Sequence, residues 1–471
     1  MLQLLFRILE GKRASFEQAR QCGDLAQEIP IEPESNLLIC GNGIFPYTDD
    51  ESLQGLVKSQ LGGGLNRDSA CGLESWISSP HFVDRPLVLS SLRSLKSHDS
   101  SSIILESQTP KPYNNFHFQD IFGSFHRFFR PYTYRFRALF VRVYPQGYCY
   151  SDDSEIVITK SHKAIISQTS YPTHAFALPR NASKARKILE SLKQCKLWAR
   201  FYYQRLFKLH RVNGSLALLH QATNYYHFLS ESIAALEQIR RSGLEPDYYL
   251  LAQDMPYQRQ MWQILQIPES KILPLSPSRL IQAKSLIVPT LIANFESVEW
   301  RDGILLSRTL ALPLLLQQFY RDFAKLLPPQ KAPTHKKRKI FLTRPSNSNR
   351  HLENAKEVES TFAQFGYEII LPDSLSLESQ ACMARESSII ASLHGAGLSN
   401  AFFMREGAIV FEIFPQYYHY SCPQFCALLM GCRYFYMVAQ TTDTTPHPQQ
   451  ESAYVCPKEL QKALQKLESY L

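Results

Sequence analysis

From Ser215 onward, short apolar runs alternate with stretches of helical period, and the alternation starts again after a Pro- and Lys-rich link, PPQKAPTHKKRK. No other feature constrains the fold as strongly, because strands that alternate with helices pair in parallel and bury both faces of their sheet. In the first series, Ser215 to His220 and Asp247 to Ala252 read as strands. Helices are predicted from Asn224 to Arg241, closed by Gly243, and from Tyr257 to Gln266. Ser285 to Pro289 reads as a further strand, and a long helix is predicted from about Asp302 to Leu326. The second series predicts strands at Lys339 to Thr343, Tyr367 to Leu371, Ser388 to Leu393, Ala408 to Phe414 and Arg433 to Val438. Helices are predicted at Glu353 to Phe365, Ser376 to Arg385 and Tyr418 to Met430. Two such series imply an α/β protein built from two Rossmann-like domains that face one another across a cleft. The dinucleotide signature GxGxxG occurs nowhere, so a dinucleotide-dependent enzyme is not supported.

A length of 471 residues leaves room for two or three domains with real cores. With 44% hydrophobic and 20% charged residues, the chain is not disordered, collagen-like or a membrane bundle. Its net charge of +9, from 51 Lys plus Arg against 42 Asp plus Glu, is compatible with an anionic partner and does not choose among nucleotide, phosphate, nucleic acid and lipid headgroup. The 10 cysteines form no CxxC pair and read as thiols of a reducing compartment. Cys422 and Cys426 have helical spacing, with Cys432 following; this reads as buried packing, because no neighbouring pair completes a metal-ligand pattern. The start, MLQLLFRILEGKRASF, places apolar before basic residues, the reverse of a signal peptide, and no uninterrupted run reaches about 18 apolar residues. A cytoplasmic protein, or one peripheral to a membrane, is expected.

Residues 1–115 are broken by glycines at 62–64 and by a Ser-rich stretch from Ser90 to Ser102, and read as an N-terminal extension or accessory region. The two expected domains are then 116–328 and 329–471. Between Phe116 and Tyr148, Arg127, Arg130, Arg135, Arg137 and Arg142 interleave with aromatic residues. Such a segment suits a single-strand nucleic-acid platform, an anionic membrane surface, or a half-buried strand with arginines on its wet face. The period of two from Arg135 to Tyr144 favours the strand.

Four constellations carry chemistry. The first is IIASLHGAGLSN, in which an apolar strand runs straight into His394, Gly395, Ala396 and Gly397, and the chain restarts as a short helix before Asn400. In a doubly wound sheet this turn lies at the carboxyl end of a strand, where ligands bind. Small residues let backbone amides approach a phosphate, and the helix N-terminus favours negative charge. A tight turn with glycines chosen only for conformation is the other reading. The second is Arg344 at the end of KIFLTR, followed by Arg350 in a polar loop. Both would project from the same sheet edge as His394, where two guanidiniums can neutralise a diphosphate; solvated strand ends are the alternative. The third is Glu412 inside the apolar strand IVFEIF, where a carboxylate needs a partner. A vicinal diol such as a ribose, or an internal group, would serve. The fourth is NYYHFLSE, whose spacing gathers Asn224, His227 and Glu231 on one helix face. A carboxylate beside a histidine is a general-base arrangement, while Asn224 is equally a good N-cap.

Together these motifs, in this order and over roughly residues 150–440, resemble glycosyltransferase family 61, which includes capsular-polysaccharide-type enzymes and protein O-glycosyl- and xylosyltransferases. The family's Asn-x-x-His-x-x-x-acid helix is similar to Asn224, His227 and Glu231, with Glu where the family often has Asp. Its arginine-ended strand with a later Arg and Asn is similar to Arg344, Arg350 and Asn354. Gln380, the His394-to-Asn400 signature and Glu412 complete the likeness. It implies a GT-B architecture, with the acceptor-side domain at 116–328 and the nucleotide-sugar domain at 329–471. It further implies an inverting hexosyl- or pentosyltransferase that needs no metal or other cofactor and serves polysaccharide biosynthesis.

In that frame Glu231 and His227 are catalytic, and Arg344, Arg350, His394, Gly395, Ala396, Gly397, Asn400 and Glu412 bind the sugar donor. Asn224, Asn354 and Gln380 support them. The chain contains no Asp-x-Asp, and its one Glu-x-Asp, at Glu245 and Asp247, precedes a predicted strand in the other half. The implied partners are a nucleotide-sugar donor and a glycan or glycolipid acceptor, with peripheral membrane contact compatible and nucleic acid not favoured. A non-catalytic nucleotide-sugar-binding protein, docked to nucleic acid or membrane through its Arg and aromatic strand, is the rival from another class.

Overall fold

The computed structural model describes short stretches before residue 184 (36–40, 43–47, 101–106, 121–122, 139–151, 157–160 and 164–165) and most of residues 184–471. Its breaks there fall at 220–223, 274–278, 291–294, 302–303, 310–311, 330–337, 346–347, 349 and 442–449. The glycines at 62–64, the Ser-rich stretch up to residue 100, Arg127, Arg130, Arg135, Arg137 and the body of the Pro- and Lys-rich link lie outside the described residues. The chain forms two compact units. One comprises Met1–Ser107, Arg137–Leu216 and Ser276–Val288; the other comprises Gln108–Phe136, Ala217–Leu275 and Pro289–Leu471.

In the first unit, β1 (Asn36–Cys40) and β2 (Gly43–Tyr47) form an antiparallel pair. β3 (Ser101–Glu106) lies antiparallel to β4 (Leu139–Pro145), and β5 (Tyr148–Tyr150), β6 (Val157–Ile158) and β7 (Ala164–Ile165) pair antiparallel in succession. A 24-residue helix, Lys184–Phe207, which the sequence reading did not anticipate, leads into β8 (Leu209–Leu218). After β9 (Tyr248–Leu250) and β10 (Ile272–Leu273), a parallel pair in the second unit, the chain returns with β11 (Leu280–Pro289), antiparallel to β5. Within the first series β9 and β10 thus pair in parallel as expected, while β11 departs from a parallel sheet by pairing antiparallel with β5. Connections as short as those from β5 to β7 cannot carry the crossover that parallel neighbours need.

The second unit holds a five-stranded, all-parallel sheet. Its strands are β14 (Arg338–Leu342), β15 (Glu368–Ile370), β16 (Ser387–Leu393), β17 (Ile409–Phe414) and β19 (Arg433–Val438), in the order β15-β14-β16-β17-β19. Helices Ala355–Gln364, Leu377–Glu386 and Cys422–Leu429 and a 3₁₀ segment, Ala396–Phe403, provide the connections. Every residue of β17 is buried, as a central strand covered on both faces requires. Phe341 stacks on Phe362 at 4.0 Å, and Ile121 joins the same core while its N–H reaches Tyr436 O at 2.8 Å. The final helix, Pro457–Glu468, packs Leu460, Leu464 and Leu467 into that core. In chain order the sheet reads 2-1-3-4-5, so the direction of winding reverses between β14 and β16. That reversal opens a crevice at the carboxyl ends of these two strands.

Two predicted helices are corrected. The stretch expected as one helix from Asp302 to Leu326 is instead the antiparallel pair β12 (Phe295–Arg301) and β13 (Ile304–Thr309), followed by helix Leu314–Leu326. The two residues between the strands are Asp302 and Gly303, a hairpin signature, and Pro313 is the N-cap that begins the helix. The helix expected from Tyr418 starts only at Cys422, because Tyr418–Tyr420 forms β18, which pairs in parallel with β13. Cys426 and Cys432 are buried, and burial pushes the Cys432 thiol up to about 12. Among the described residues, no helix is long and apolar enough to cross a membrane.

Candidate functional site

The carboxyl ends of β14 and β16 bring Arg344 and His394 together at the reversal point. The Arg344 Nη2 donates to His394 O at 2.7 Å and Nη1 donates to Arg350 O at 3.3 Å, so the guanidinium braces the turn that follows β16. Gly395 makes this possible, since a Cβ there would stand 1.5 Å from Nη2. At Gly397 a Cβ would meet only Leu342 and Pro372 at 3.6 and 3.8 Å, which is ordinary contact. Burial, with Arg350 nearby, lowers the Arg344 pKa to about 10, so the group stays cationic at neutral pH. Arg350 has a left-handed backbone, φ 57°, and its guanidinium lies 4.8 Å above the Tyr418 ring. Two cations held within Coulombic reach of one another create a locus that an anion would stabilise.

His394 is buried, stacked on Phe414 at 5.4 Å and edge-on to Tyr418 at 5.2 Å. Its Nδ1 meets Glu412 Oε1, and the Tyr434 hydroxyl donates to Glu412 Oε2. Burial holds the Glu412 carboxyl well above the usual carboxylate range. Burial and then the two arginines hold the His394 imidazole well below its ordinary value. The ion pair is therefore disfavoured. With both groups neutral, the carboxyl O–H donates to Nδ1 and the imidazole carries its hydrogen on Nε2. Glu412 has no exposed surface. Of the two partners considered for it, the structure shows the internal one, with both oxygens occupied within the protein.

Asn400 is likewise completely buried. Its Nδ2 donates to Gln380 Oε1 at 3.1 Å and to Gly397 O at 2.9 Å, while its Oδ1 accepts from the Tyr225 hydroxyl at 3.1 Å. It locks the 3₁₀ segment to helix Leu377–Glu386 and to the turn Tyr225–His227. Gln380 shares that lock, and Ala396 opens the 3₁₀ segment. Asn354 sits apart: its Nδ2 donates to Val455 O at 2.9 Å and its Oδ1 accepts from Val455 N at 3.2 Å, pinning the chain ahead of the last helix.

The helix predicted from Asn224 is present with a change of winding inside it. Asn224 is the N-cap, accepting from Tyr226 N at 2.9 Å and His227 N at 3.4 Å. Tyr225–His227 is α-helical, Phe228–Ser232 is a π-turn, and Ile233–Arg241 is α-helical again. Within the π-turn, Ile233 N–H reaches Phe228 O five residues back, and Leu229 O accepts the Tyr320 hydroxyl at 2.6 Å. Such wide turns commonly mark functional positions. His227 Nδ1 meets Glu231 Oε1, with the His227 side chain 26% exposed and that of Glu231 1%. The turn Tyr225–His227 packs against the 3₁₀ segment Ala396–Phe403, so the His227–Glu231 pair and the His394 turn belong to one unit.

The Glycosyltransferase 61 family model matches residues 225–411. This chain resembles glycosyltransferase family 61. The matched region begins at the His227 and Glu231 helix and runs into β17, taking in Arg344, Arg350 and the His394 turn. No curated protein matches the chain. Sequence reasoning missed Tyr225, Tyr320, Tyr434 and Tyr418, which tie the family-like residues together. Each is an aromatic in an aromatic-rich stretch, and only tertiary proximity distinguishes it. Glu451, also missed, accepts from Gln416 N at 3.0 Å and Tyr417 N at 2.9 Å, fixing the loop that follows β17.

Proposed function

We propose that this protein is an inverting, metal-independent glycosyltransferase of the GT-B type, which moves a hexosyl or pentosyl group from a nucleotide sugar to a hydroxyl of a glycan or glycolipid. One observation carries the reading. The His227–Glu231 pair and the Arg344–His394 turn, each suited to one half of such a reaction, are joined through the Tyr225–Asn400 hydrogen bond of 3.1 Å. In this reading residues 329–471 supply the sugar-donor site. Arg344 and Arg350 face the diphosphate, and the amides near Gly395, Ala396 and Gly397 approach it closely. His394 donates from Nε2 to a phosphate oxygen, held in that tautomer by Glu412 and Tyr434. Charge developing on the leaving diphosphate is stabilised by these fixed cations and donors, which is the work a metal performs elsewhere.

Glu231 takes the proton from the acceptor hydroxyl as that oxygen attacks the anomeric carbon from the face opposite the nucleotide, and His227 orients the carboxylate. The bond from carbon to the nucleotide oxygen breaks as the new glycosidic bond forms, which inverts the anomeric centre. The test is a panel of nucleotide sugars followed by thermal shift, then by transfer with matched acceptors. The reading stands if at least one nucleotide sugar raises the melting temperature and is turned over by the wild type. It fails if none binds, or if Glu231→Gln transfers sugar as fast as wild type.

A further inference from the structure

Helix Lys184–Phe207 of the first unit has two apolar sides. On one, Trp198, Phe201 and Tyr202 pack against Tyr148, Tyr150, Ile158 and Leu280. On the other, at its C-terminal end, Tyr203, Leu206 and Phe207 stand in solvent with relative exposures of 55%, 76% and 72%. The Tyr203 and Phe207 rings lie 5.2 Å apart at a tilt of 47°, so with Leu206 they form one apolar tip. A cluster of large apolar side chains is costly in water and marks a contact surface.

Along the chain the tip is flanked by cations. Arg205, Lys208 and Arg211 are all exposed and close to it in sequence, and the chain has no Asp or Glu between Glu190 and Glu231. We propose that this tip docks on an anionic lipid surface, with Leu206, Phe207 and Tyr203 entering the headgroup layer and Arg205, Lys208 and Arg211 facing lipid phosphates. Apolar residues flanked by cations and free of acids have the composition of an interfacial helix. A second copy of the chain would bring the same cations together and repel. A nucleic acid would need separate ring faces for stacking, whereas here the two rings lean on one another and leucine is the most exposed member. The contact is independent of the sugar-transfer reading.

Sedimentation of the full-length protein with vesicles tests the proposal, using phosphatidylcholine alone or mixed with phosphatidylglycerol. The wild type should bind the anionic vesicles at least about tenfold more tightly than the neutral ones, and added salt should weaken that binding. The double variant Leu206→Glu with Phe207→Glu should lose about tenfold or more of the affinity with an unchanged melting temperature, since both side chains are exposed. Lys208→Glu with Arg211→Glu should abolish the preference for anionic lipid. Equal binding to both vesicle types, no binding to either, or a Leu206 and Phe207 variant that binds like wild type would overturn the proposal. So would tighter binding to a single-stranded RNA oligonucleotide than to vesicles, or a concentration-dependent dimer that Leu206→Glu dissolves.

Discussion

The Arg344 guanidinium occupies the space in which a side chain on Gly395 would begin, its Nη2 and Cζ lying 1.5 and 2.7 Å from the position of an added Cβ. This explains why a glycine directly follows His394. Gly395 is extended, with φ 161° and ψ −178°, so the requirement is for space and not for an unusual backbone.

Gly395→Ala should therefore behave very differently from Gly397→Ala. In the first, the buried guanidinium must leave its bond to His394 O, and overpacking of this kind costs about 1–3 kcal/mol. Because a hydrogen bond from a charged group contributes about 1.5–3 kcal/mol, nucleotide affinity should also fall about tenfold or more. Gly397→Ala meets only ordinary contacts and should change stability by less than about 0.5 kcal/mol. Urea unfolding of the two variants and calorimetric titration of Gly395→Ala with a nucleoside diphosphate check both statements; equal stability losses would refute the steric argument.

Glu412→Gln should preserve the site while Glu412→Leu destroys it. The glutamine amide can donate to His394 Nδ1 and accept from Tyr434, as the protonated carboxyl does, whereas leucine strands both partners at about 1–3 kcal/mol each. The pH dependence has a definite sign. The folded-state pKa of Glu412 is raised, so above the ordinary glutamate value of about 4.3 the folded protein keeps a proton that the unfolded chain has lost. This contribution is fully present at lower pH and is lost as pH rises through the raised value. Glutamine does not titrate, so the melting temperature of Glu412→Gln relative to wild type should climb with pH; a constant difference would mean that Glu412 is ionised in the fold.

Glu231→Gln should separate chemistry from binding. If Glu231 is the general base, kcat should drop by about 10²–10⁴-fold, while the affinity for the nucleotide sugar, assigned in the proposed function to Arg344, Arg350 and His394, stays the same. Pre-steady-state transfer assays alongside equilibrium titration measure the two separately. A loss confined to KM would remove Glu231 from the proton transfer.

The sequence made the second series legible because each strand of the parallel sheet is a short apolar run between turn signals, and β14, β15, β16, β17 and β19 fall within a residue or two of their expected places. Arg344 and His394 could be placed on one edge because parallel strands end on the same side. What stayed hidden depends on partners remote in sequence. The run after Asp302 has helical period through Leu326, and that pattern masked the Asp302-Gly303 hairpin signal and the break at Pro313. Glu412 could be recognised as a costly buried carboxylate, yet nothing local shows that Tyr434 and His394 share it. The π-turn in the Glu231 helix has no local signature either, since the hydroxyl that satisfies its carbonyl belongs to Tyr320.

That last contact supports a prediction of its own. A π-turn shifts the hydrogen-bond ladder by one residue, and here Ile233 N–H goes to Phe228 O while Leu229 O receives the Tyr320 hydroxyl. Tyr320 is also stacked on Phe402 at 4.5 Å, so Tyr320→Phe keeps the ring packing and removes only the hydroxyl. The carbonyl it leaves is buried, and the cost should be about 1–3 kcal/mol. If the turn relaxes to regular α-helix instead, the stability loss is smaller, but Glu231 rotates relative to His227 and the transfer rate falls. Either way the variant must differ from wild type in melting temperature or in kcat, with donor affinity retained. A Tyr320→Phe protein identical to wild type in both would show that the π-turn is held by the backbone alone and that helix Leu314–Leu326 has no part in placing Glu231.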